Sequence, residues 1–93
     1  MFFVPRVNVV ESDAGFSIEI LGRTGMKYRE GEKSLFVDSE VLVQGQGIAI
    51  SSKSIREWDP PYTASPISPE KRDAIINNIR QAMEYQNEPL EVL

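Results

Sequence analysis

From Arg6 to about Ser52 the apolar positions fall two residues apart, broken by short turn signals. Val7 and Val9 alternate with Arg6 and Asn8, Phe16, Ile18 and Ile20 with Ser17 and Glu19, and Met26 and Tyr28 with Lys27 and Arg29. Leu35 and Val37 alternate with Ser34, Phe36 and Asp38; Val41 and Val43 continue past a bend expected at Ser39, and Ile48 and Ile50 close the series. A period of two puts one set on a core face and turns the other to solvent. The breaks are Ser12-Asp13-Ala14-Gly15, Gly22-Arg23-Thr24-Gly25, Gly31-Glu32 and Gly45-Gln46-Gly47. Such short links cannot cross over a sheet, so neighbouring strands are expected antiparallel. Gly31 suits the first central position of a type II′ hairpin turn, which needs a positive φ. The reading is an antiparallel meander of five to six strands over residues 6–53.

The period changes after Ser54. Residues 54–68 hold Pro60, Pro61 and Pro66, with Pro69 just beyond, and each proline fixes φ and removes a donor. This stretch reads as an ordered connector anchored by Ile55, Trp58 and Tyr62. Ser68-Pro69-Glu70 then opens a helix: a capping hydroxyl, a proline at the first helical position and an acid at the positive pole. Ile75, Ile79, Ala82, Met83 and Gln86 follow at spacings of three and four, so a helix over residues 69–87 turns one stripe to the sheet. It ends ahead of Pro89, and residues 88–93, with Leu90 and Val92 alternating, add a short edge strand. The 93 residues make a single two-layer α+β domain, with the C-terminal helix packed on one sheet face.

Composition narrows the chemistry. The chain has no histidine and no cysteine. It therefore carries no thiol nucleophile, no disulfide framework, no Cys/His metal site and no imidazole acid–base group. Ten basic against 14 acidic residues give a formal charge of −4, a balance that weighs against nucleic-acid binding. Met1–Arg6 has no basic lead-in and too short an apolar run for a signal peptide, and no stretch approaches the length of a membrane span. The expected compartment is the cytoplasm.

Four strings are candidates for a site. Ser51-Ser52-Lys53-Ser54 pairs hydroxyls with a lysine, the raw material of a Ser–Lys hydrolase, but nothing identifies an orienting group or an oxyanion hole, and it reads as a polar strand end. Gly45-Gln46-Gly47 lacks the third glycine and the helix of a dinucleotide site, and reads as a hairpin turn. Glu30 and Glu32 flank the Gly31 turn, and Asp38 and Glu40 flank Ser39. Residues 11–40 hold seven acids (Glu11, Asp13, Glu19, Glu30, Glu32, Asp38, Glu40) and four bases (Arg23, Lys27, Arg29, Lys33). This acidic region, with Glu30, Glu32, Asp38 and Glu40 as its contacts, is the expected surface for a basic partner. In Trp58-Asp59-Pro60-Pro61-Tyr62, the residues Trp58, Pro60 and Tyr62 are assigned structural roles, with Trp58 pinning the connector across the sheet.

The order of several strings resembles one family. These are the turn Glu30-Gly31-Glu32-Lys33, the strand Leu35-Phe36-Val37-Asp38-Ser39-Glu40-Val41-Leu42, the strand Ile48-Ala49-Ile50 and the run Ser54-Ile55-Arg56-Glu57-Trp58-Asp59-Pro60-Pro61. Pro66-Ile67-Ser68 and the helical Ile75-Ile76-Asn77-Asn78-Ile79 complete the set, which spans roughly Val7 to Val92. Together they resemble immunity protein 74, one of the small immunity proteins of bacterial polymorphic toxin systems. The resemblance implies a cytoplasmic antidote that binds a cognate toxin domain by occupancy, with no catalytic residue, cofactor or metal. A nuclease toxin, with its basic cleft, would suit an acidic antidote. The alternatives are a generic interaction module or a small subunit of a larger complex, and the oligomeric state stays open.

Overall fold

The computed structural model describes residues 1–42 and 47–93. Val43 and the Gly45-Gln46 part of the expected turn lie outside the described residues. The strands are β1 (Phe2–Arg6), β2 (Val9–Ser12), β3 (Phe16–Ile20), β4 (Gly25–Glu30), β5 (Lys33–Val41), β6 (Ile48–Ile50) and β7 (Leu90–Val92). A single turn of 3-10 helix, Ser52–Ser54, follows β6, and helix α1 runs Pro69–Tyr85.

The sheet lies in sequence order, β1 to β7, and is antiparallel from β1 through β6. Two corrections to the expected five- to six-stranded antiparallel meander follow. The described residues form seven strands, and β7 pairs parallel to β6, with Ile48 opposite Leu90 and Ile50 opposite Val92. The chain between those two strands includes the connector and α1, long enough to carry it back to a parallel start. The extra strand at the other edge is β1. Arg6 pairs with Val9, so Val7-Asn8 is a hairpin turn and not a strand segment, with Asn8 in the left-handed region (φ 67°) that asparagine tolerates. The sheet therefore begins at Phe2, not at residue 6.

The central hairpins follow the alternation. Glu30 pairs with Lys33 across the two-residue Gly31-Glu32 loop, with φ +60° at Gly31. In β5, Leu35 and Val37 are buried while Phe36 and Asp38 are exposed. The bend expected at Ser39 is instead an exchange of neighbours within one continuous strand. β6 pairs only with Ser39–Val41. Beside the first half of β5 the connector takes its place: the Asp38 amide donates to Ser54 Oγ (3.0 Å), and the Asp59 amide donates to the Ser34 carbonyl (2.8 Å).

Helix α1 covers the inner face with Ile75, Ile79, Ala82 and Met83. Ser68 Oγ accepts the Lys71 amide (3.1 Å), and Pro69 occupies the first turn. The helix stops at Tyr85, two residues before the expected end. The Asn87 amide donates to the Glu84 carbonyl and the Glu88 amide to that of Met83, a Schellman closure with Asn87 at φ 59°. Gln86, expected in the buried stripe, is the exposed cap. Beneath the helix an aromatic row crosses the sheet, Phe2 to Phe16 (5.9 Å), Phe16 to Tyr28 (6.0 Å) and Tyr28 to Trp58 (6.4 Å).

Candidate functional site

The four acidic candidates occupy two ends and two faces. Strand parity decides their direction. Glu30 shares the parity of the buried Met26 and Tyr28 and points inward, whereas Asp38 and Glu40 are out of phase with the buried Leu35 and Val37 and point outward. The two groups are also far apart along the hairpin, because Lys33 to Glu40 is seven residues of extended strand, roughly 23 Å.

Glu30 is tied into the fold. Its Oε1 accepts the Tyr28 hydroxyl (2.6 Å), its Oε2 accepts Lys71 Nζ from α1 (2.5 Å), and Asn78 Nδ2 donates to the Tyr28 oxygen (2.9 Å). Partial burial opposes ionisation of Glu30, but the Lys71 and Tyr28 hydrogen bonds and the Lys71 and Lys33 charges outweigh it, holding the carboxyl below its ordinary value. Burial raises the Tyr28 hydroxyl well above the usual phenol range, with the Glu30 carboxylate adding to it. Glu32 lies in the exposed turn and accepts the Tyr62 hydroxyl (2.9 Å), a bond that raises the phenol of Tyr62.

Asp38 and Glu40 are exposed on the outer face, and neither has an ion-pair partner among the described residues. The pairing adds a third acid that strand alternation alone did not single out. Glu40 stands opposite Ala49, and Ala49 opposite Glu91, so Glu40 and Glu91 project from the same face about 10 Å apart. Ala49 between them is too small to separate them. Reading this from sequence would have required the register of the parallel β6–β7 pair.

Other charges of the outer face pair with one another. Arg29 Nη1 donates to Glu19 Oε1 (2.9 Å) and Arg6 lies 3.7 Å from Glu19 Oε2. The Arg29 hydrogen bond, with the charges of Arg29 and Arg6, holds Glu19 low against a smaller opposing effect of burial. Lys27 Nζ donates to Asp59 Oδ2 (2.5 Å).

Trp58 is 4% exposed and stacks on Tyr28. Lys33 Nζ lies 5.7 Å from the ring centroids of both Trp58 and Tyr62, a cation–π arrangement that ties the connector to the β4–β5 turn. The Pro60–Pro61 peptide is cis. In the Ser51–Ser54 cluster, Ser54 Oγ donates to the Ser51 carbonyl (2.7 Å) and Ser52 Oγ to the Leu93 carbonyl (2.8 Å). The first closes the turn and the second ties it to the end of β7. Among the described residues no group of acids is placed to hold a metal ion, and no helix is long and apolar enough to cross a membrane.

The result is an α+β domain whose inward polar groups fasten helix and connector to the sheet, and whose outer face carries Asp38, Glu40 and Glu91 without ion-pair partners among the described residues. A model of the immunity protein 74 family matches residues 17–92, and the chain belongs to that family. No curated protein and no solved structure matches it.

Proposed function

We propose that this chain is a cytoplasmic immunity protein that binds a cognate toxin domain and neutralises it by occupancy, without catalysis. The observation that carries this reading is the family match over residues 17–92. The geometry supports a division of labour among the four acids. Glu30 and Glu32 hold Lys71 and Tyr62 and so keep helix and connector in place. Asp38 and Glu40, exposed and joined by Glu91, are free to meet cationic side chains. Such a face attracts a basic surface over several ångströms and speeds encounter. The partner is accordingly a protein whose active cleft is basic, as in a nuclease.

The test is co-expression with the toxin domain encoded beside this gene. Co-purification of the two chains and rescue of growth are expected. A toxin that stays active and does not co-purify would refute the reading.

A further inference from the structure

The sheet curls so that its two flanks approach each other below the end of α1, leaving a hollow of about 250 Å³. Val4, Val10, Ile20, Val41, Ile48 and Met83 wall it. Its size is below the roughly 300–1,000 Å³ of small-molecule sites and suits one long side chain. The mouth is apolar and open, with Val4 48% and Val41 46% exposed.

One side differs. Glu88, half-buried, is the charged residue of the lining and has no ion-pair partner among the described residues. It is the third residue past α1, its amide capping the Met83 carbonyl, and the helix's last turn contains Glu84 and no basic residue. A helix terminus carries partial negative charge, so cations are the stabilising neighbours there and acids are not. The chain leaves this unfavourable arrangement uncorrected: Arg80 reaches the Leu90 carbonyl (3.5 Å), Arg6 is beside Glu19 (3.7 Å), and Arg23 is not in the lining.

Charge complementarity selects the occupant. An aliphatic side chain would fill the walls but bury Glu88 without a partner, at a cost in desolvation. An acidic one would be repelled. Lysine and arginine lay an apolar stem along such walls and keep the cation at the rim. We propose that this hollow is the socket for one lysine or arginine side chain of the protein partner, with the stem against Val4, Val41 and Ile48 and the cation at Glu88. The proposal rests on the reading above only in taking the partner to be a protein. Val4, Asn8, Val9 and Val10 come from the β1–β2 hairpin, which lies before the matched residues 17–92. The socket is thus completed by a segment outside the family match, which suits a contact that distinguishes one partner from another.

The test needs no toxin. N-acetylarginine amide is titrated into the isotopically labelled chain while methyl resonances are followed. The signals of Val4, Val41 and Ile48 are expected to move together, N-acetylglutamate amide to leave them in place, and N-acetylnorleucine amide to bind at least fivefold more weakly than the arginine probe. Glu88→Gln, with an unchanged melting temperature, is expected to weaken the arginine probe at least fivefold. Unmoved methyls, equal binding of the norleucine probe, or full binding by Glu88→Gln would each overturn the socket. Those results leave the toxin-binding reading standing, just as a failure to bind the neighbouring toxin leaves the probe titration unaffected.

Discussion

Gly47 and Pro89 meet backbone to backbone. A Cβ on Gly47 would overlap the Pro89 carbonyl oxygen, and the next amide, that of Ile48, donates to that oxygen at 2.9 Å. Gly47 also sits at φ +99°. One residue thus combines a conformation open to glycine and a clearance that only glycine leaves, at the point where β7 joins the sheet in parallel.

Gly47→Ala should therefore cost about 3 kcal/mol, from backbone strain and the displaced Pro89 together. Gly31→Ala is the control. Its φ is +60° but nothing lies within 4 Å of the added carbon, so the loss should be about 1 kcal/mol. Urea unfolding of both variants checks this, and equal losses would show that the Pro89 contact contributes nothing.

Trp58 is the chain's one tryptophan, and its buried ring lies against Tyr28 with Lys33 over it. Trp58→Ala should cost about 3–5 kcal/mol, a large share of the roughly 5–15 kcal/mol that holds such a domain folded. Trp58→Phe keeps a ring over Tyr28 and should lose under half as much. Circular dichroism melting checks the order. In the unaltered chain, Trp58 emission should shift to longer wavelength in step with unfolding.

The pH dependence of stability follows from Glu30. Its carboxyl lies lower in the folded chain than its ordinary value of 4.5. The stabilisation it provides is thus present in full above the unfolded value and lost as pH falls through the folded one. Glu30→Gln should lower stability at pH 7 by about 1 kcal/mol and flatten the decline below about pH 5. Glu19, also held low, through Arg29, leaves a residual slope. Urea midpoints between pH 3 and 7 decide the point; an unchanged acid limb in Glu30→Gln would remove Glu30 from the account.

The parts of this fold written locally were legible in the sequence. The β3, β4 and β5 hairpins lie between tight turns, so period two gave both strand and face, and Ser68-Pro69 marked where α1 begins. What was missed is which segments pair and in which direction, which the period alone does not encode. Val7-Asn8 alternates like a strand and became a turn once Phe2–Arg6 folded back on β2. Leu90–Val92 is three residues long, and its neighbour and direction are set by where α1 delivers the chain. The acids were visible as charges and read as one surface, although strand parity sets Glu30 on the face opposite to Asp38 and Glu40. Their engagement was not visible, since Lys71 lies 41 residues from Glu30 and Tyr62 lies 30 from Glu32.

That division gives the sharpest test of the proposed surface. Asp38→Lys with Glu40→Lys reverses two exposed charges that hold no ion pair among the described residues, so the fold should keep its melting temperature within about 2 °C. Association with the toxin domain should slow at least tenfold at low salt, with a smaller difference at high ionic strength, because screened encounter no longer uses the acidic face. Glu30→Gln should act in the opposite sense, lowering stability while leaving the association rate close to that of the unaltered chain. Stopped-flow association at two salt concentrations separates these outcomes. Unchanged association in the double reversal would remove Asp38 and Glu40 from the interface, and slowed association in Glu30→Gln alone would move the contact to the opposite end of the β4–β5 hairpin.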